Sequence, residues 1–207
     1  MVGDAVNVAV DVVLKVGGAL VRRPEAFDRA ATELGRLRRD AHIVLVPGGG
    51  PFADTVCDVD RLLRLGDDAA HWMAVLAMDQ YAHVLGARIP RAVVVEDPAD
   101  LDAAFNAGRI PVLAPSRWLR RADPLPHSWD VTSDSIAAWI AVALRATHFV
   151  LLKPVAGPLG DVTDTQCASV LAVAAAAAPR VRLCTASDVI PVIASLAITS
   201  TGRDLPD

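Results

Sequence analysis

Of the 20 basic side chains in this sequence, only Lys15 and Lys153 are lysine; all the others are arginine. Lysine has been kept where a compact ammonium on a flexible stem differs in function from a planar guanidinium. Both lysines end an apolar, β-like run, DVVLKVGG and FVLLKPVAG, and open α/β sheets bind their ligands at the carboxyl ends of strands. Gly17 and Gly18 follow Lys15. Without Cβ atoms, they let backbone N–H groups approach an anion closely while the ammonium supplies a mobile charge. The chemistry this suggests is phosphate binding.

A second glycine turn, Pro47-Gly48-Gly49-Gly50-Pro51, again separates a β-like run from a helical one. A turn needs one or two glycines, so the third points to close approach of a ligand, with the positive end of the following helix dipole favouring a phosphoryl group. The third element is HSWDVTSDSIAAWIA, residues 127 to 141, where Asp130 and Asp134 stand with Thr132, Ser133 and Ser135 at the mouth of an apolar helix. Thr132 or Ser133 suffices as a cap. Asp134 is then left to orient the lysines and stabilise their charged forms. Neither a Walker A pattern nor GxGxxG occurs, which removes the P-loop and dinucleotide-fold readings.

The elements that must position these residues follow from periodicity. β-branched runs predict strands at Val8–Val16, His42–Val46, Arg91–Val95, Ile110–Leu113, Thr147–Leu152, Val181–Cys184 and near Ala197–Thr199. Helical spacing fills most intervals: from Pro24 through Leu37, Phe52–Leu65, Asp68–Leu85, Pro98–Ala107, Ser133 to about Leu144, near Cys167–Ala178, and Ser187–Ser195. Trp118–Trp129 carries too many breakers for regular structure, and Pro154–Thr165 reads as a loop. Strands alternating with helices predict a three-layer α/β/α sandwich with a mostly parallel central sheet.

Composition narrows the class. At 207 residues and 53% hydrophobic, the chain can bury one core, and a single domain over residues 1–207 is expected. A formal charge of -4 argues against a nucleic-acid partner. No apolar run is long enough for a membrane span, and Asp4 and Asp11 interrupt the N-terminal valines, so a cytoplasmic location is expected. Cys57, Cys167 and Cys184 lack CxxC spacing and read as small core residues. Trp72, Met73, Leu76 and Met78 mark a packed helix face, and His71 and His83 have no partner at metal-ligand spacing. No metal site is expected from the protein's own side chains.

Taken in order, VVLKVGGAL, VLVPGGGPF, VTSDSIAAWIA and FVLLKPVAG resemble the amino acid kinase superfamily over nearly the whole chain. Each motif alone is weak, and the ordered set is specific. Within the superfamily, AHWMAVLAMDQYAHVLG and HSWDVTSDSIAAWIA look most like the aminomethylfuran methyl phosphate kinases of methanofuran biosynthesis. The resemblance implies a kinase using ATP and Mg²⁺ on a small-molecule acceptor, and a homo-oligomer. It implies that Lys15, Asp134 and Lys153 are catalytic, and that Gly17, Gly18, Gly48, Gly49 and Gly50, with Lys153, hold the phosphates. Acceptor contacts are expected from Gly49, Gly50, Asp54, Asp130, Thr132 and Ser133, within an acceptor half of about residues 1–130 and a nucleotide half of about 131–207. A substrate ammonium would need a carboxylate, for which Asp54, Asp79 and Asp130 are candidates.

The chain departs from the family pattern after Lys153. It reads PVAG where relatives carry an acidic turn of the type DVDG, and Gly157–Asp207 is short for a nucleotide-binding half, with Asp161 and Asp164 as compensating carboxylates. Two rival readings remain at this level. One is a carboxylate, uridylate or isopentenyl phosphate kinase of the same fold. The other is a non-catalytic nucleotide-binding storage or sensor protein, against which the retention of both lysines and Asp134 argues.

Overall fold

The β-branched runs pair edge to edge into one six-stranded sheet of order β3-β4-β2-β1-β5-β6, every neighbouring pair parallel. The strands are β1 (Val12–Val16), β2 (Ile43–Pro47), β3 (Ala92–Val95), β4 (Ile110–Leu113), β5 (His148–Leu152) and β6 (Arg180–Cys184). This architecture comes from a computed structural model, which describes residues 9–154, 179–187 and 189–196. All residues of β1, β2, β4 and β5 are buried, as expected where helices cover both faces of a parallel sheet.

Alternation along the strands assigns each face its core. Val12, Leu14 and Val16 of β1, with Val150 and Leu152 of β5, meet α1 (Pro24–Gly35) and the later turns of α3 (Asp67–Arg88) through Phe27, Leu34, Tyr81 and Leu85. Val13 of β1, with Phe149 and Leu151 of β5, meets α6 (Ser133–Ala143) through Ile136, Ala137 and Ile140. Side chains alternate with period two, so Lys15 shares the face of Val13, and Lys153, just beyond β5, continues that of Phe149 and Leu151. Parity therefore sends both lysines toward the layer that holds α6.

α2 (Gly50–Leu63) and α3 form a helical pair, and α4 (Leu101–Asn106), preceded by a 3₁₀ turn at Pro98–Asp100, links β3 to β4. α7 (Val189–Ser195) packs against α1. The chain steps from β1 to β2 on one side of the sheet and later returns to place β5 on the other side of β1. That reversal opens a crevice between the carboxyl ends of β1 and β5, where such sheets bind ligands.

The three-layer parallel fold agrees with the pattern reading. One segment does not: part of the stretch expected to be irregular forms α5 (Ser116–Ala122). The breakers Pro124 and Pro126 lie beyond its end, Asp123 closes it in the left-handed region at φ 38, and the Asp79 carboxylate accepts from Ser116 N–H at 3.1 Å. The helix expected near Cys167–Ala178 and the strand near Ala197–Thr199 lie outside the described residues. Among the described residues, no helix is long and apolar enough to cross a membrane.

Candidate active site

Asp134 occupies the first turn of α6, whose N-cap Thr132 accepts a hydrogen bond from Asp134 N–H at 3.2 Å. The cap fixes where the helix starts, and the start fixes where the carboxylate points. Lys15 Nζ lies 2.8 Å from one carboxylate oxygen, and Lys153 Nζ hydrogen bonds to the other. Burial pushes the Asp134 carboxyl up, but the two ammonium groups outweigh that effect and hold it below its ordinary value. Lys15 and Asp134 are buried, whereas the Lys153 side chain keeps 14% of its surface. Among the described residues, two ammonium groups thus converge on one carboxylate at the sheet's switch point.

The glycines divide into two groups. Gly17 N–H donates to Leu152 O at 2.8 Å and Gly48 N–H to Val16 O at 2.9 Å, so each prolongs a strand pairing. The phosphate-donor role expected for these two amides is therefore corrected: their hydrogens are committed to the sheet. Gly18 opens a 3₁₀ turn (Gly18–Arg22), Gly49 is the N-cap of α2 and Gly50 opens that helix. First-turn amides have no partner within their helix, so Gly18 and Gly50 carry the amides that helix geometry leaves open, with Gly49 between strand and helix.

Steric packing also explains the glycine-rich spelling. A Cβ on Gly18 would lie 2.2 Å from Gly50 N, one on Gly48 would lie 2.7 Å from Gly18 N, and Gly50 holds φ +56. The two turns press backbone against backbone. Tyr81, fully buried in α3, brings its hydroxyl to 3.5 Å from Gly17 O beneath the first turn, and burial raises the pKa of its phenol.

Beside these turns opens a cavity of about 350 Å³. Gly18, Gly49, Gly50, Thr132 and Ser133 form one part of its lining. α3 contributes Asp67, His71, Val75 and Met78, α2 contributes Asp54 and Cys57, and the segment before α6 contributes Ser128, Trp129 and Val131. Arg22 and Asp54 also line it and form an exposed ion pair, an arrangement that adds little stability in water. Trp129 Nε1–H donates to Asp60 of α2 at 2.8 Å, tying the segment before α6 to the helical pair.

Of the acceptor candidates, Gly49, Gly50, Asp54, Thr132 and Ser133 line this cavity. Asp130 does not. It is exposed on the strap between Trp129, which borders the cavity while remaining exposed, and the buried Val131. Asp79 is half-buried against α5, where burial raises its carboxyl pKa despite the bond from Ser116. Pattern reasoning passed over Arg22 and Trp129, read Asp67 as a possible helix cap, weighed an acceptor role for His71 or His83 without choosing it, and placed Cys57 in the core although that residue borders the cavity. Asp161, Asp164 and Cys167 lie outside the described residues.

The profile of the amino acid kinase family matches residues 12–161, a span containing Lys15, both glycine turns, Asp134 and Lys153. The chain belongs to the amino acid kinase family. Among similar proteins, the [5-(aminomethyl)furan-3-yl]methyl phosphate kinase of Methanocaldococcus jannaschii is 29% identical over 145 residues, covering 70% of this chain and 66% of that protein. The acetylglutamate kinase of Leifsonia xyli subsp. xyli is 33% identical over 146 residues, covering 70% of this chain and 45% of that protein. This member of the family thus spans about two thirds of the first relative's length and under half of the second's. The solved uridylate kinase of Archaeoglobus fulgidus superposes with a TM-score of 0.64 at 19% identity, over 91% of this chain and 98% of that one, a likeness of fold.

Proposed function

We propose that the protein is an ATP-dependent kinase that transfers the γ-phosphoryl group to a small phosphate-monoester acceptor. The observation that carries this reading is the single buried carboxylate holding both lysines beside a cavity bordered by the glycine turns. Phosphoryl transfer needs little covalent help from a protein; positioning and charge neutralisation dominate. Lys15 and Lys153 neutralise the transferring phosphoryl, Asp134 keeps their ammonium groups convergent, and the amides of Gly18, Gly49 and Gly50 orient phosphate oxygens.

ATP fits the two ammonium groups that converge at Asp134 and the first-turn amides beside them. Mg²⁺ would enter with the nucleotide and neutralise charge on its phosphate oxygens. On the acceptor side, a phosphate monoester suits a cavity whose anion-facing wall is glycine backbone, and Asp54 and Asp67 supply carboxylates for a cationic group. An aminomethylfuran methyl phosphate satisfies both demands, and the similarity to the archaeal kinase supports it. The protein would then work in the cytoplasm on a diffusible substrate, with residues 1–130 serving the acceptor and 131–207 the nucleotide. The exposed Leu62, Leu63 and Leu76 on the α2–α3 pair support self-association there.

The deciding experiment is γ-phosphoryl transfer from ATP to a panel containing [5-(aminomethyl)furan-3-yl]methyl phosphate, UMP, isopentenyl phosphate and N-acetylglutamate. Diphosphate formation on the furan monoester is expected. An acyl phosphate product, or ATP binding without acceptor-dependent turnover, would replace the reading with one of its rivals.

A further inference from the structure

The part of the cavity formed by the N-terminal turns of α3 is chemically unlike the part at the glycine turns. Met78 packs in the core under the strand ends, whereas His71 lies two turns nearer the helix start, about 10 Å away at the rise of an α-helix. His71 lines the cavity and stacks on His127, with ring centroids 4.2 Å apart and planes inclined by 14°. His127 is clamped at both ring nitrogens, by Asp68 on one side and by Asp123 at 2.8 Å on the other. An imidazole whose two nitrogens both face carboxylates donates from both, which is the protonated form. Trp72 stands edge-on to both rings, and Arg120 sits over the Trp72 indole at 4.6 Å.

The charges around His71 are therefore the His127 imidazolium, two carboxylates that outnumber it, and Asp67, which lines the same cavity on the first turn of α3. Arg120 faces Trp72 rather than the histidine pair. Resting on the kinase reading above, we propose that His71, with Asp67, forms a subsite for an ammonium group carried by the acceptor, and that His127 is a positioning residue fixing the face His71 presents. The His71 ring accepts a hydrogen bond from the ammonium, and Asp67 supplies the opposite charge. Burial and the neighbouring His127 charge push the His71 pKa below its ordinary value, while the Asp68 and Asp123 hydrogen bonds push that of His127 up. His71 is then neutral and able to accept while His127 stays charged.

The test compares two probes, [5-(aminomethyl)furan-3-yl]methyl phosphate and the analogue in which hydrogen replaces the aminomethyl group. Wild type should favour the amine by about tenfold or more in kcat/KM, the scale of one hydrogen bond to a charged group. His71→Leu should remove most of that preference through the KM of the amine probe, leaving the amine-free probe within about twofold and the KM for ATP unchanged. If neither probe is phosphorylated, calorimetric binding of the two reads the subsite without transfer. A retained amine preference in binding then supports the subsite while the kinase reading fails. Equal handling of both probes by wild type, equal losses for both in His71→Leu, or no binding of either overturns the subsite. For the clamp, NMR titration should place His71 below and His127 above the ordinary histidine range, and His127→Gln should raise the His71 pKa; parallel titration of the two rings overturns it.

Discussion

Asp134 and Lys15 meet at 2.8 Å with only 4% and 5% of their side-chain surfaces exposed, and Asp134 turns its other oxygen to Lys153. A buried ion pair of this kind is weak support for stability taken alone, because desolvating the charges offsets their attraction. Among the described residues, one carboxylate faces both cations, so each of the three charges depends on the other two for its burial.

Lys15→Ala and Lys153→Ala should each lower kcat by about 10²–10³, the usual loss on deleting one preorganised charge partner of a transition state. The double variant should fall well short of the product of the two, because both lysines answer to the same carboxylate. Steady-state kinetics with saturating ATP checks both statements. Unchanged rates in both single variants would remove the kinase assignment.

Asp134→Asn should destabilise the fold by about 3–5 kcal/mol, since it strands two cations in a poorly solvated site. The pH dependence has a definite sign. The folded-state pKa of Asp134 lies below the unfolded value of 3.8, so its contribution is fully present above that value and is lost as pH falls through the lower folded pKa. Acid denaturation should therefore be steeper for wild type than for Asp134→Asn below about pH 4, measured by circular dichroism. Coincident acid transitions would show that the carboxylate is not held by the lysines in solution.

Gly18→Ala should be more harmful than a glycine-to-alanine change in an ordinary turn. Its Cβ would meet Gly50 N at 2.2 Å and Gly50 Cα at 2.4 Å, and no flexible side-chain end is there to yield. Parting the two turns should cost about 1–3 kcal/mol, typical of overpacking, and should raise the KM for ATP. Gly66 serves as the contrast, with φ +84 but open space at the position a Cβ would take: Gly66→Ala strains the backbone without pressing on the glycine turns.

Cys57 borders the cavity and is half-buried. A small methylthiolating reagent such as a methanethiosulfonate should convert its thiol to a methyl mixed disulfide, releasing sulfinate, and the modification should block acceptor turnover while sparing ATP binding. Prior addition of the acceptor should slow labelling, and Cys57→Ser should abolish the inhibition. Mass spectrometry of the labelled peptide provides the measurement, and inhibition that persists in Cys57→Ser would place the effect elsewhere.

Much of this site was legible because its logic is local. The period-two alternation that buries Val13 and Phe149 also dictates the face of Lys15 and Lys153, and the Thr132 cap sits two residues from the carboxylate it positions. What escaped notice depends on contacts between distant segments. His71 and His127 form a pair only after the segment between α5 and α6 crosses to α3, and nothing in either local sequence announces it. The same holds for the glycines. Gly17 and Gly48 look like their neighbours in sequence, and only the sheet register reveals that their amides bond to Leu152 and Val16. Asp130 and Asp54 were equal candidates in sequence, and only the path of the strap shows that Asp54 borders the cavity and Asp130 does not.

The 22 residues of α3 serve both faces of the sheet: Tyr81 supports the turn that follows Lys15, while His71 and Met78 wall the cavity. A helix of this length is a single stiff beam of about 33 Å. The gap between the glycine turns and the far wall of the cavity is thereby set by one girder instead of by independent loops, and any tilt of that girder shifts both surfaces in concert.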